Sequence, residues 1–237
     1  GAPHSKVREV SEFLSSVDCD RLIMNGDIID GWQLHNSDDK WNSSHSAFFR
    51  VIMKMMENHS TEVIYVSGNH DDFLDPIVPS KLFNISFVSE YILREEKHSY
   101  VVIHGHAFDS ITARFRWISR LGDIGYNLLL KFNNMWNRAR MRHGKEYYSF
   151  SKVIKHKVKQ AVSLISGFES DLESFARARG CDGIICGHIH NPEDKMLKGG
   201  IHYLNSGDWV ESLSALVEDF DGNWSILRYN DFVKPQP

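Results

Sequence analysis

The sequence predicts a layered α/β fold, and two observations support that prediction. Apolar runs of strand length alternate with longer stretches of helical periodicity along the chain. Four of these runs end beside a glycine that neighbours Asp, Asn or His, as strands do where they meet loops in α/β sheets. Hydrophobic residues make up 42% of the 237 residues, which suffices for a substantial core.

The individual elements follow from the same patterns. We expect buried strands at 21–25, 62–66, 100–103 and 182–186. Three later strands are expected at 201–205, 212–219 and 224–229, with Asp221-Gly222 as a hairpin signal. Helices are expected at 5–16 and 43–58, the second capped by Asn42, Ser43 or Ser44.

The first polar motif is Gly26-Asp27-Ile28-Ile29-Asp30, at the end of the first strand. Ligands of α/β sheets bind beyond the carboxyl ends of strands, so this position indicates a site. A carboxylate can bridge two divalent cations, and Asp27 is the candidate for that role. Asp30 fits a supporting role better.

The second motif, Gly68-Asn69-His70-Asp71, follows the second strand. The amide oxygen of Asn69 is a neutral ligand, which leaves a cation more positive for an anionic phosphate. His70 could protonate a leaving oxygen or stabilise a transition state. Asp71 is the candidate for orienting that imidazole.

The third and fourth motifs are His104-Gly105-His106 and Gly187-His188-Ile189-His190. On an extended segment, residues two apart point the same way, so His188 and His190 are expected to face one site. Imidazoles with carboxylates favour Mn, Fe, Zn or Co over Ca. Any one motif alone is explained by an ordinary turn or a surface histidine, but four at strand ends favour a site.

The motif order GD, GNHD, HGH, GHIH resembles the calcineurin-like metallophosphoesterases. Longer segments, among them GDIIDGW, DGIICGHIH and NSGDWVES, resemble the bacterial UDP-2,3-diacylglucosamine diphosphatase family of lipid A biosynthesis. The resemblance covers nearly the whole chain. It implies one metallophosphoesterase domain over 1–237, a four-layer αββα sandwich with a helical cap at about 110–160.

The resemblance also implies site residues and cofactors. It implies two divalent transition metals, with Mn ahead of Fe or Zn. Asp27 would bridge them, while Asn69, His104 and His188 would bind one metal and His190 the other. His70, with Asn69 beside it, would be catalytic. The implied reaction is hydrolysis of the diphosphate of a UDP-linked acylated sugar.

Two departures from the family pattern affect these expectations. The family's first Asp-x-His motif and its strand are absent from the printed sequence, which begins at a segment that would follow them. We therefore expect one complete metal site and a second with only Asp27 and His190. His70 and His106 stand where the better-studied diphosphatases carry Arg and Asp, which leaves the substrate more open than the reaction type.

Residues 110–160 hold twelve Lys or Arg and only two acids, beside large apolar residues such as Trp117 and Trp136. A solvated helical face is one explanation of this charge. The apolar residues favour an anionic amphiphile or membrane surface instead. By resemblance this cap is the substrate lid, and Arg142 and Lys152 are the cations expected to contact substrate.

The remaining features bear on location and partners. The three cysteines form no disulfide or zinc pattern, so we expect a reducing, cytoplasmic compartment. The expected partners are an acylated nucleotide-sugar or other phosphate substrate and the anionic cytosolic face of the bacterial inner membrane. No specific nucleic acid is expected, and homo-oligomerisation stays open. The alternatives are a phosphodiesterase or phosphatase for soluble nucleotides, and a non-catalytic module binding anionic lipid or nucleic acid.

Overall fold

The computed structural model describes residues 5–36, 41–95, 97–108 and 167–232, apart from the side chains at 33, 35 and 36. Its helices are α1 (Val7–Leu14), α2 (Gly31–Asn36), α3 (Ser43–His59), α4 (described over 167–178) and α5 (Tyr229–Phe232). Its first six strands are β1 (Arg21–Asn25), β2 (Glu62–Val66), β3 (Ser80–Leu82), β4 (Ile85–Val88), β5 (Tyr91–Arg94) and β6 (Ser99–Val102). The other five are β7 (Gly183–Cys186), β8 (Glu193–Met196), β9 (His202–Asn205), β10 (Ser214–Glu218) and β11 (Trp224–Arg228).

The strands form two mixed sheets and a hairpin. The first sheet has the order β1-β2-β4-β3, in which β1, β2 and β4 are parallel. The second has the order β5-β6-β7-β9-β8, in which β6, β7 and β9 are parallel. Strands β10 and β11 form an antiparallel pair, as the Asp221-Gly222 signal predicted. The parallel strands of each sheet send their carboxyl ends to a common edge.

Strand β2 shows why the sheets are covered on both faces. Val63 and Tyr65 pack in one cluster with residues of α1 and α3. Ile64 and Val66 point the other way and pack with Val102, Ile185 and Leu204 of the second sheet. A strand buried on both faces is a continuous apolar run, which is the pattern of Val63–Val66. The predicted α/β sandwich, with sheet facing sheet and helices outside, is confirmed.

Helix α3 begins where the sequence predicted, with Asn42 as the cap. The Asn42 side chain accepts hydrogen bonds from the backbone N–H groups of Ser44 and His45, and the His45 ring accepts from the Asn42 N–H. This reciprocal arrangement satisfies backbone donors that lack partners within the helix. Burial of Ile52 and Met55 on its inner face then fixes α3 against the first sheet.

Four strands were not predicted, namely β3, β4, β5 and β8. Strand β3 is exposed along its length, and β8 alternates between half-buried and exposed residues. Both lie at sheet edges, where charged side chains such as those of Glu193, Asp194 and Lys195 protect unpaired backbone groups. Strands β3 and β8 therefore carry no apolar run that a sequence pattern could detect.

The chain divides into two compact units, residues 1–106 with 173–237, and residues 107–172. The predicted cap at 110–160 lies outside the described residues. Within the second unit, the rings of Phe108 and Phe168 meet edge to face at 6.0 Å. Among the residues that the structure describes, none of the helices combines the length and apolar character that crossing a bilayer requires.

Candidate metal centre

Polar side chains collect where five parallel strands of the first unit end. They follow β1, β2, β6, β7 and β9. The strands deliver Asp27, Asn69 with His70, His104, His188 with His190, and Asp208, respectively. The predicted positions beyond strand ends are therefore those that the fold brings to one edge of the two sheets.

Among the described residues, Asp27, His104 and His188 form a close group of ionisable side chains. One ligand atom of each lies within 4.8 Å of the other two. His104 Nε2 is 3.1 Å from Asp27 Oδ2 and also 3.1 Å from His188 Nδ1. Both histidines are buried, with only 3% and 6% of their surface exposed. Separations of this size fit ligands arranged around a single transition-metal ion.

The tautomer of His104 suits this role. Its Nδ1 lies 3.0 Å from the backbone carbonyl oxygen of Asn25, which can only accept a hydrogen bond. Nδ1 therefore carries a proton, and Nε2 is the ring nitrogen directed toward Asp27 and His188. Ligating histidines are generally oriented in this way by a carbonyl or carboxylate on their second nitrogen.

Asp27 is held as an anion. Burial alone would raise the pKa of its carboxyl group, but the His104 ring and the backbone N–H of His70 lower that pKa to about 2. The His70 N–H donates to Asp27 Oδ1 at 2.9 Å, which leaves Oδ2 turned toward the histidines. The carboxylate is thus ionised and oriented before any cation arrives.

The backbone at this edge is strained. Among the described residues, six non-glycine residues have positive φ, and three of them are Asp27 (55°), His188 (63°) and His190 (59°). Residues other than glycine seldom adopt this backbone conformation, and the surrounding structure must compensate for its cost in free energy. The prediction that His188 and His190 lie on an extended segment is wrong, because both residues are left-handed and the Ile189 N–H bonds back to the Gly187 carbonyl at 2.7 Å.

Two glycines allow the loops to approach so closely. Gly26 has φ of 75°, and a Cβ there would overlap the imidazole of His104. A Cβ on Gly68 would overlap the carboxylate and backbone nitrogen of Asp27. Glycine is needed at both positions because backbone and side chains pack directly against the space that a methyl group would occupy.

A buried amide supplies an independent indication of a missing partner. Asn69 Oδ1 is shielded from solvent and has no hydrogen-bond partner among the residues that the structure describes, and neither side-chain polar atom of Asn25 has one there. A buried acceptor without a partner costs about 1–3 kcal/mol, so such atoms are normally satisfied by a ligand, ion or water. The oxygen-donor chemistry of Asn69 fits a divalent cation beside Asp27.

His190 is paired with a residue that the sequence analysis did not select. Its Nδ1 lies 2.9 Å from Asp208 Oδ2. Burial would raise the pKa of Asp208, but the His190 ring and Ser212 lower it to about 2. The backbone N–H and hydroxyl of Ser212 donate to Asp208 Oδ1 at 2.7 and 2.8 Å. Asp208 therefore fixes the His190 ring, and its Gly207-Asp208 junction after β9 was the available signal.

His70 is supported by Asp30, whereas the prediction that Asp71 orients it is wrong. His70 Nδ1 lies 3.2 Å from Asp30 Oδ1, and Asp30 is buried. Asp71 instead accepts hydrogen bonds from the Tyr65 hydroxyl and from the backbone N–H groups of Ile29 and Gly68, at 2.8, 2.8 and 3.1 Å. Burial raises the pKa of Asp71 and that of Tyr65. Asp71 thus joins two loops. Asp30 contacts Nδ1 of His70, so Nε2 takes no part in the pair that His70 forms with Asp30.

Comparison with known proteins identifies this arrangement. The family model described as calcineurin-like phosphoesterase matches residues 3–192. This chain belongs to the calcineurin-like phosphoesterase family. The family binds divalent metals, and the Asp27, His104 and His188 group is a possible metal-binding triad of this member.

Solved structures related to this calcineurin-like chain are distant in sequence. An archaeal phosphodiesterase is 12% identical over 93% of this chain and 90% of its own, with a TM-score of 0.40. A predicted phosphoesterase from Streptococcus pneumoniae is 14% identical over 96% and 85%, at 0.38. Vacuolar protein sorting 29 from Cryptosporidium parvum is 14% identical over 96% and 89%, at 0.43. With identities and TM-scores this low, none of these likenesses carries an argument about activity. No curated protein matches the chain significantly.

The other predicted residues of this family member are placed as follows. His106 is exposed at the start of a 3-10 turn, with its ring 5.6 Å from that of His104. Arg142 and Lys152 lie outside the described residues. Strand β1 is hydrogen-bonded to β2 alone among the described strands, so it forms an edge of the first sheet.

Proposed function

We propose that this protein is a divalent-metal-dependent hydrolase of phosphate esters or diphosphates. The observation that carries the proposal is the buried triad of Asp27, His104 and His188, whose ligand atoms lie within 4.8 Å of one another. Family membership supports hydrolysis of phosphate esters in general. The unpartnered Asn69 oxygen, in the loop whose His70 N–H contacts Asp27, supports a fourth ligand.

The donor set favours a transition metal. Two imidazoles, a carboxylate and an amide oxygen suit Mn, Fe or Zn better than Ca, and we propose Mn as the first choice. His190, oriented by Asp208, is proposed for a second metal shared with Asp27. Bound metal supplies Lewis-acid polarisation of the phosphoryl oxygens and activates water for attack on phosphorus.

The protein's own groups perform the remaining steps. Asp30 accepts a hydrogen bond from the Nδ1–H group of His70, so Nε2 is the nitrogen that can donate a proton to the leaving oxygen. The His70 backbone N–H holds Asp27 in its ligating orientation at the same time. The loop that carries His70 therefore holds the proposed proton donor and also contacts Asp27 of the metal site.

The proposed substrate is a UDP-linked acylated sugar of the UDP-2,3-diacylglucosamine type, hydrolysed at the cytosolic membrane face. Support comes from the motifs NSGDWVES and DGIICGHIH and from the basic, aromatic-rich segment 110–160. Twelve cations in that segment would bind a diphosphate and anionic lipid. Arg142 and Lys152 are the proposed substrate contacts within it.

The reaction type can be tested with a metal-dependent hydrolysis assay. We expect Mn-dependent hydrolysis of bis(p-nitrophenyl) phosphate, and at least a hundredfold loss in His188→Ala because a buried metal ligand is removed. The matched variant His59→Ala, at the exposed end of α3, should keep full activity. Absence of metal-dependent hydrolysis in the unaltered protein would refute the enzyme proposal.

The substrate assignment needs a separate comparison. We expect faster hydrolysis of acylated UDP-sugars in detergent micelles than of UDP-sugars without acyl chains. Equal rates on soluble nucleotides would favour the alternative of a nucleotide phosphodiesterase. Binding of anionic vesicles without any hydrolysis would favour a non-catalytic lipid-binding module.

A further inference from the structure

A large aromatic side chain borders the proposed proton donor. The ring of Trp32 stacks on that of His70 with centroids 4.2 Å apart and planes inclined by 34°. Its indole N–H donates to Asp72 Oδ2 at 3.3 Å. The indole is therefore held by one face and one edge, yet 49% of the residue's surface remains exposed.

A second aromatic residue extends this surface. Phe73 is 42% exposed, and its ring lies so close to Gly31 that a Cβ there would overlap it. The Gly31 N–H donates to the His70 carbonyl at 2.9 Å, so the segments that carry Trp32 and Phe73 are joined at the histidine. We name Trp32 and Phe73 together the aromatic rim.

The exposure of the rim calls for a function beyond bracing His70. The contact with His70 covers only part of the indole, and about half of Trp32 and 42% of Phe73 remain exposed. Binding sites typically combine exposed apolar surface with a few polar groups. The rim adjoins such groups, because the His70 N–H contacts Asp27 of the triad at 2.9 Å.

We propose that the aromatic rim binds the apolar organic group attached to the scissile phosphate, and that Trp32 determines substrate specificity. This inference rests on the proposed phosphoesterase function and names the part of the substrate that this member selects. The shared chemistry is a flat or extended apolar surface beside an anionic phosphoryl group. A planar ring such as a nucleobase and an alkyl chain of a lipid both provide it.

A series of phosphodiesters with one leaving group tests the proposal. Methyl, hexyl and phenyl p-nitrophenyl phosphates all release p-nitrophenolate, so differences in kcat/KM report on the retained group. We expect about a tenfold preference for phenyl or hexyl over methyl, the size that aromatic stacking provides. A larger effect for phenyl indicates a planar group, and a larger effect for hexyl indicates an alkyl chain.

Variants assign that preference to the rim. Trp32→Ala should reduce the ratio of the preferred substrate to the methyl ester to about one or two, since the stacking surface is removed. Trp41→Ala is the matched control, because Trp41 is 42% exposed but stacks on Phe49 of α3 at 5.7 Å. It should keep the ratio of the unaltered protein. An unchanged ratio in Trp32→Ala overturns the inference.

A binding measurement separates this inference from the proposed function. The dissociation constants of phenylphosphonate, hexylphosphonate and methylphosphonate for the Mn-loaded protein, measured by calorimetry, require no turnover. Metal-dependent hydrolysis with no loss of selectivity in Trp32→Ala refutes the rim and leaves the phosphoesterase standing. No hydrolysis, with a binding preference that disappears in Trp32→Ala, refutes the activity but retains the rim as an apolar binding site.

Discussion

The Nδ1 atom of His104 donates a hydrogen bond to the backbone carbonyl of Asn25 across 3.0 Å. Asn25 ends β1 of the first sheet, and His104 follows β6 of the second. This single bond joins the two sheets at the edge where the metal ligands collect, and it also fixes which nitrogen of His104 faces Asp27. The packing of the fold and the chemistry of the site therefore depend on the same contact.

Gly26→Ala tests how tightly that contact is packed. A methyl group at this position would overlap the His104 ring, whereas at Gly200 it would meet no atom within 4 Å. Both glycines have positive φ, 75° and 81°, so Gly200→Ala controls for backbone strain. We expect Gly26→Ala to lower the free energy of unfolding by about 1–3 kcal/mol more than Gly200→Ala, measured by urea denaturation. Equal losses would show that the space beside Gly26 is not filled.

Asp208→Asn tests the orientation of His190. Removing the negative charge from a carboxylate that holds a ligating imidazole typically weakens metal affinity by about 10- to 100-fold. Asp219→Asn is the matched control, since Asp219 also accepts hydrogen bonds from backbone N–H groups in a turn, those of Asp221 and Asn223, but its side-chain donor is the Asn223 amide rather than a histidine. Competition with a metal-buffering chelator measures both affinities. If Asp208→Asn binds Mn as tightly as Asp219→Asn, His190 is not a ligand.

Tyr65→Phe tests the loop connection made by Asp71. The hydroxyl of Tyr65 donates to Asp71 Oδ1 at 2.8 Å, and Asp71 is fully buried. Losing a buried hydrogen bond to a charged group should lower the free energy of unfolding by about 1.5–3 kcal/mol. Tyr229→Phe removes an equivalent hydroxyl bond, to Glu12 at 2.7 Å, on the exposed surface, and little change is expected there. Chemical denaturation of both variants decides whether burial makes the difference.

Metal removal should destabilise the protein through the same triad. A ligand that binds only the folded state at about 100 times its dissociation constant adds about 2.7 kcal/mol of stability. We therefore expect Mn to raise the midpoint of thermal unfolding, and excess EDTA to reverse the increase. His188→Ala should abolish this response, whereas His59→Ala should retain it. A response of equal size in His188→Ala would place the stabilising metal elsewhere.

The sequence predicted most of the strands that are continuous apolar runs, although β5 was missed despite such a run. Val63–Val66 is buried on both faces and was recognised as a strand, whereas the charged edge strand Glu193–Met196 has no such run and was missed. The sequence selected Asp27 and His104 as candidates because each stands beside a glycine, and glycine is required at Gly26 by close packing against His104 and at Gly105 by a φ of 110°. No sequence pattern indicated which side chains from different loops would contact each other.

Asp208 and Asp30 illustrate that limit. Asp208 contacts His190 from a different strand end, and its local signal, Gly207-Asp208 after β9, is equally typical of an ordinary turn. Asp71 was expected to orient His70 because the two are adjacent in sequence. Neighbouring side chains generally point in different directions, and Asp30 from another loop reaches the ring instead.

The most direct test of the metal centre is anomalous diffraction from a crystal grown with Mn, recorded on both sides of the Mn absorption edge. We predict an anomalous peak among Asp27 Oδ2, His104 Nε2 and His188, with Asn69 Oδ1 also in contact with the ion. Occupied Mn sites elsewhere, with none bounded by Asp27, His104 and His188, would contradict the account.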